Sequence, residues 1–270
     1  MKPVLKYPGA KWRIADWIII HMPEHHTYLE PFFGSGAVLF SKPASRIEVV
    51  NDLDDDVVNL FRLIRDEPEK LAGLVEATPY SRAEYDFCFD NPDSPDPDER
   101  ARRFLVKCWM GYGFRTNGRK VGWKNDVQGR KKAYALSNWV RLPDWLLAAT
   151  ARLKEIQIEN RPAVEVIERF KHPNVLIYAD PPYVLETRTS KQYKCEMTDE
   201  DHIRLLDALK SHPGPVIISG YQSQLYNDLL RGWGIESIAN TAEQGQPRTE
   251  TIWLNHAAQV SQIKMQEILG

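Results

Sequence analysis

Apolar positions recur along the chain at two spacings, and each spacing predicts an element. "HTYLEPF" (26–32) and "RIEVVND" (46–52) read as short strands, each feeding a loop and then a helix. In 54–66, "DDDVVNLFRLIRD", apolar residues return near i, i+3 and i+4, with acids in the first turn, where they suit the helix dipole. "EIQIEN" (155–160) alternates like a strand, and "RPAVEVIERF" (161–170) predicts a helix with Pro162 in its first turn. "NVLIYAD" (174–180) and "GPVIISG" (214–220) are continuous apolar runs, as expected of central parallel strands buried on both faces. Residues 198–212 open with T-x-x-D, which makes Thr198 the expected N-cap. A helix over 221–232, a strand over 233–240 and a closing strand over 250–256 complete the pattern.

Strands alternating with helices predict an α/β fold, a doubly wound, mostly parallel sheet of the Rossmann-like kind. Ligands of such sheets bind beyond the carboxyl ends of the strands. Residues 68–145 break the alternation, being rich in charge, Pro, Gly and aromatics. They read as an inserted, mainly helical subdomain, leaving 1–67 and 146–270 as the sheet domain.

The 270 residues suffice for a full core. No run approaches the ~20 apolar residues that span a bilayer, so no membrane partner is expected. Cys88, Cys108 and Cys195 are widely spaced, with no C-x-x-C, which argues for reduced thiols in a cytoplasmic setting and against structural zinc. His25, His26 and Glu24 lack a third ligand at useful spacing, and no metal site is expected. The net charge of −2 hides an asymmetry. Residues 84–99 carry seven acids and no base, whereas 100–132 carry eleven bases and one acid, Asp126. A local field of that kind suits a polyanion.

Four motifs bring chemistry. In "EPFFGSGAVLF" (30–40), Gly34 and Gly36 stand where a strand turns into a helix, and glycines there let a ligand approach the backbone. A tight turn without a ligand is the competing reading. Asp52, at the end of the next strand with Asn51 beside it, is placed to accept from ribose hydroxyls; Asp52 or Asp54 would serve equally as a helix N-cap. "KYPGAKWR" (6–13) offers Tyr7 and Lys11 in a basic, aromatic loop, with Lys11 able to meet a ligand carboxylate. The fourth, "YADPPYV" (178–184), ends a buried strand with an acid, two prolines and a ring. An amine conjugated to a ring is a poor nucleophile, and acceptors around its hydrogens free the lone pair. The Asp180 carboxylate and the Pro181 carbonyl supply two acceptors, Pro181 and Pro182 fix the backbone direction, and Tyr183 offers a face for stacking.

Phe33-Gly34-Ser35-Gly36, followed far downstream by Asp180-Pro181-Pro182-Tyr183, resembles the adenine-specific DNA methyltransferases that use S-adenosylmethionine. The N-terminal K-Y-P-G-A-K block, the insertion between the motifs and the late "QPRTETIWLNH" resemble the DNA adenine methylase subgroup across essentially the whole chain. The resemblance implies that Tyr7, Lys11, Phe33, Gly34, Gly36, Asp52 and Asp180 contact S-adenosylmethionine. It implies that Asp180, Pro181, Pro182 and Tyr183 grip an adenine flipped out of double-stranded DNA. The insertion would be the target-recognition subdomain. There bases alternate with Trp109, Tyr112, Phe114 and Trp123, and Arg115, Asn117, Arg119, Lys120, Lys124 and Arg130 are the expected DNA contacts. Whether a restriction endonuclease partner accompanies the chain is left open. The alternatives are the same chemistry on cytosine, RNA or a glutamine side chain, or a catalytically silent DNA-binding regulator on the same scaffold.

Overall fold

The computed structural model describes residues 1–125, 134–188, 190–241 and 247–260. In chain order the elements are α1 (Ala15–Ile19), β1 (Thr27–Glu30), α2 (Ala37–Ser41), β2 (Ile47–Asn51), α3 (Asp55–Asp66), α4 (Pro68–Glu76), α5 (Arg82–Asp90), α6 (Pro97–Met110) and α7 (Tyr134–Leu153). Then follow β3 (Ile156–Glu159), α8 (Ala163–Arg169), β4 (Val175–Ala179), α9 (Asp199–Lys210), β5 (Val216–Gly220), α10 (Gln224–Leu229), β6 (Gly234–Thr241) and β7 (Pro247–Leu254).

The chain divides into two compact units. The sheet unit comprises 11–53, 156–191 and 195–270. Its seven strands run in the order β3-β2-β1-β4-β5-β7-β6. Neighbours from β3 to β5 are parallel, and β7 lies antiparallel to both β5 and β6. The alternating and continuous apolar runs explain the layering. Leu29, Val49, Ile177 and Ile218 point to one face, where they meet Val166 and Ile167 of α8, Leu205, Leu206 and Leu209 of α9, and Tyr226 of α10. The intervening Tyr28, Val50, Tyr178 and Ile217 are equally buried and by strand periodicity point the other way. This is a mixed α/β architecture with a mostly parallel sheet, as expected of a doubly wound, Rossmann-like fold.

Local signals place the helices as the sequence indicates. Thr198 closes a capping box with Asp201, each side chain accepting from the other's backbone N–H. Ser223 caps α10, so that helix begins inside the stretch expected for it. Pro162 stands at the N-cap of α8, one place before the first turn.

The second unit is helical: 1–10, 54–155 and 192–194. It contains all the described residues of 68–145, and α3 and the end of α7 also cluster within it. Thr150 on α7 donates its hydroxyl to the Ile64 carbonyl of α3, and Trp139 donates its indole N–H to the carbonyl of Thr78. Cys88 and Cys108 are buried free thiols. Burial pushes the Cys88 thiol up to about 12, and it raises Cys108 well above its ordinary value. Among the described residues no helix is long and apolar enough to cross a membrane.

The capping box sets one quantitative expectation. Thr198→Ala should lower unfolding free energy by about 1 kcal/mol in a urea titration, and Thr198→Asp should restore most of it.

Candidate active site

Chain order in the sheet fixes where a site forms. From β1 the chain moves outward through β2 to β3, then returns to lay β4 on the opposite side of β1. The strand order therefore reverses between β1 and β4, and the crevice beyond their carboxyl ends is where open α/β sheets take ligands. The register pairs Leu29 with Ile177. The turn after β1 and the motif after β4 thus start side by side.

After β1 the chain runs through Phe33 to Gly36. The Phe33 N–H donates to the Asn51 carbonyl, and the Gly36 N–H donates to the Phe33 carbonyl. Gly34 (φ 49°) and Gly36 (φ 67°) both lie in the left-handed region. A Cβ on Gly36 would come within 2.6 to 2.8 Å of the Phe33 and Phe40 rings. Sterics and conformation both demand glycine there.

Of the two acids offered as N-cap, Asp54 takes that place on α3, its carboxylate accepting from the Asp56 N–H. Asp52 instead accepts from the Gly34 N–H at 2.7 Å, so the end of β2 and the glycine turn are locked together. Asn51 is buried and structural. Its amide donates to the carbonyls of Pro31 and Arg161 and accepts from the Arg161 N–H.

Beyond β4, Asp180 holds two partners. Its Oδ1 accepts from the Ser219 hydroxyl of β5 at 2.7 Å, and its Oδ2 pairs with the Lys11 ammonium at 2.9 Å. Lys11 is buried, 5% exposed, and its Nζ lies 4.8 Å from the centroid of the Tyr183 ring. Asp180 retains 18% exposure. Pro181 is buried, and Pro182 and Tyr183 are half-buried.

Two polar groups here lay outside the sequence expectations. Glu30, the last residue of β1, is buried and accepts from the Tyr28 phenol at 2.8 Å. Burial raises its carboxyl to about 8, with the Asp180 charge adding to the rise and the Tyr28 bond opposing it. Ser219 is the other; its hydroxyl also meets the Tyr178 phenol at 3.1 Å. Glu30 lay in "EPFFGSG" and could have been flagged as an acid ending an apolar strand, whereas nothing in the sequence ties Ser219 to Asp180.

In the helical unit, Tyr7 lies beside Tyr193, ring centroids 6.0 Å apart, and the Tyr193 hydroxyl donates to the Pro8 carbonyl. The segment 110–124 folds back on itself. Gly111 bridges Trp123, the Tyr112 N–H donates to Gly122, and the Lys124 N–H donates to Met110. Two phenols of neighbouring chain pin it: Tyr85 donates to the Val121 carbonyl and Tyr80 to that of Lys124. Phe114 is buried against Phe104, which leaves 115–120 as the tip. There the Asn117 side chain accepts from the Arg119 N–H, and Gly118 (φ 79°) completes the turn. Asn117, Arg119 and Lys120 are exposed, and Arg115 is half-buried.

Three findings qualify the basic run. Lys120 pairs with Asp86 at 2.9 Å. Arg102 pairs with Glu84 and Glu99, and Arg103 with Glu99, so the acidic stretch folds beside the basic one and neutralises part of it. Lys124 is buried, its ammonium over the rings of Tyr112 and Tyr134. Arg130 lies outside the described residues. The acids Asp54, Asp55 and Asp56 cluster closely and receive the Lys194 ammonium, 2.6 Å from Asp55.

Residues 7–244 match the family described as D12 class N6 adenine-specific DNA methyltransferase. The chain belongs to this family. Relatives agree along much of its length. It is 26% identical to the type II methyltransferase M1.LlaDCHI of Lactococcus lactis subsp. cremoris, covering 91% of this chain and 90% of that one. It is 25% identical to the DNA adenine methylase of Salmonella typhi, covering 82% and 81%. To the DNA adenine methylase of Escherichia coli K12 it is 31% identical over 113 residues, 40% of each chain. This D12 methyltransferase is therefore an adenine-specific DNA-modifying enzyme with DNA as its substrate, and it requires a methyl donor. The glycine turn and the D-P-P-Y corner follow β1 and β4, neighbouring strands of its sheet.

The shifted carboxyl of Glu30 gives a pH signature. Raised to about 8 in the folded enzyme, it binds a proton that the unfolded chain has already released above the ordinary carboxyl range. Its contribution to stability is full at acid pH and is lost as pH rises toward 8. Glu30→Gln, which cannot ionise, should therefore gain on the parent by up to about 1.4 kcal/mol per pH unit between pH 5 and 8 in urea unfolding. A constant offset between the two curves would show that Glu30 is not proton-bearing.

Proposed function

We propose that this enzyme transfers the methyl group of S-adenosylmethionine to the exocyclic amine of an adenine flipped out of double-stranded DNA. The observation that carries the reading is the adjacency of β1 and β4 at the strand-order reversal, with Gly34 and Gly36 following one strand and Asp180 and Tyr183 the other. The residues suit an adenosyl donor. Asp52, whose carboxylate accepts from the Gly34 N–H at the end of β2, is the acceptor for ribose hydroxyls. The turn at Gly34 and Gly36 lets the donor's methionine end approach the backbone beside Phe33. Lys11 completes the contacts that the sheet unit offers the donor. When bound, S-adenosylmethionine supplies a methyl carbon on a positively charged sulfur.

The chain's own residues do the rest. Asp180 and the Pro181 carbonyl accept hydrogen bonds from the target amine, drawing its nitrogen toward tetrahedral geometry and freeing its lone pair. That lone pair forms the new N–C bond as the C–S bond breaks toward sulfur. The amine's spare proton then leaves through Asp180 or to solvent. Ser219 and Lys11 hold the carboxylate in place beforehand, at 2.7 and 2.9 Å. The amine competes with the Lys11 ammonium for Oδ2. Tyr183 stacks on the base. Catalysis here is positional and electrostatic rather than covalent.

Recognition belongs to the pinned tip 115–120, where Arg115, Asn117 and Arg119 read base edges or phosphates and Lys120 exchanges Asp86 for phosphate. Arg130 adds a further phosphate contact. Lys124, buried at the base of the loop, serves the tip by holding Tyr112 and Tyr134. The type II names among the relatives support a companion restriction endonuclease reading the same sequence.

Two experiments test the reading. Asp180→Ala should abolish tritium transfer from labelled S-adenosylmethionine to unmethylated plasmid DNA while both ligands still bind; substantial turnover would remove Asp180 from its role. Arg115→Ala or Arg119→Ala should weaken DNA binding and lower the salt slope by about one unit per lost phosphate contact. An unchanged slope with altered sequence preference would assign that side chain to a base.

A further inference from the structure

Tyr183 is held at both ends. Its backbone follows the two prolines, and its phenol donates to Oε2 of Glu250 at 2.7 Å. Its ring also meets the edge of Tyr221, centroids 4.6 Å apart and planes at 74°. Tyr221 follows directly on β5, and the Arg248 guanidinium lies 5.3 Å from its ring centroid. Glu250 is buried on β7, a strand paired on both sides. The register pairs Gly220 with Thr251, which brings Glu250 alongside Tyr221 when continued by one residue.

Burying a carboxylate costs free energy unless strong hydrogen bonds compensate it. A phenol at 2.7 Å is such a bond, and burial together with the Asp180 and Glu250 charges keeps that phenol protonated by raising it well above its ordinary value. The ring needs no hydroxyl to stack on a base, so the bond serves the ring's orientation. A tyrosine tied at its far end and braced by a second ring loses the rotations that would otherwise have to be frozen when a base arrives.

We propose that Glu250 is a positioning residue for methyl transfer: with Tyr221 as an edge brace, it sets the plane of the Tyr183 ring on which the target base stacks. The antiparallel hairpin of β6 and β7 thereby acquires a part in the reaction, since β7 carries both Glu250 and the Arg248 that packs over Tyr221. The inference rests on the reading of Tyr183 as the stacking ring.

A double-mutant cycle tests it, with tritiated S-adenosylmethionine, unmethylated plasmid DNA and thermal unfolding as the folding control. Glu250→Ala should lower kcat about tenfold, the worth of one hydrogen bond to a charged group, with KM for DNA within about threefold of the parent. Glu250→Gln keeps an acceptor oxygen and should stay within about threefold of the parental kcat. In a Tyr183→Phe background, where the donor is gone, Glu250→Ala should change kcat by less than about twofold. Should Glu250→Ala not fold, Glu250→Met replaces it in the cycle. Equal losses in both backgrounds, or a parental kcat for Glu250→Ala, would overturn the proposal. Tyr183→Ala separates the two readings. Near-parental turnover in that variant would overturn the stacking role and the positioning role together. An inactive Tyr183→Ala beside Glu250 variants at parental rates would overturn the positioning role alone.

Discussion

Asp180 follows a strand buried on both faces, where an unpaired carboxylate would be costly, and two side chains of the sheet unit satisfy it. Lys11 supplies the opposite charge from the segment just before α1, and Ser219 supplies a neutral donor from the next strand. Both partners leave the carboxylate 18% exposed, so it is held rather than sealed. The two contacts hold the carboxylate in a fixed position. Lys11 is itself buried, so the ammonium and the carboxylate offset each other's burial.

The same logic of local neutralisation runs through the helical unit. Linear counting gives eleven bases against one acid over 100–132, yet α6 turns Arg102 and Arg103 inward to Glu84 and Glu99, and Lys120 reaches Asp86. Among the described residues, Arg119 and Lys120 stand exposed in the tip 115–120, which Phe114, Tyr80 and Tyr85 anchor.

Strand periodicity and capping chemistry made most of the sheet unit legible in the sequence, down to Thr198 and its capping box. The two anchored motifs were legible as well, because prolines after a buried strand and glycines at a strand-to-helix turn have few bland explanations. What escaped was pairing between elements distant in sequence. Nothing near Ser219 or Glu250 announces a partner in 180–183, since those contacts follow from β5 lying next to β4 and β7 next to β5. The choice between Asp52 and Asp54 as N-cap also needed three dimensions: both have the right chemistry, and only the approach of Gly34 separates them. Burial of Lys124 had no linear signal, because a lysine under two aromatic rings reads like any other in a basic run.

The central claim is that donor and target meet at the reversal between β1 and β4. Ultraviolet cross-linking of methyl-tritiated S-adenosylmethionine to the enzyme, followed by proteolysis and mass spectrometry, tests it directly. The account predicts label on peptides from 30–40 and 178–184, suppressed by excess unlabelled donor. Specific label confined to peptides from 54–155 would contradict it.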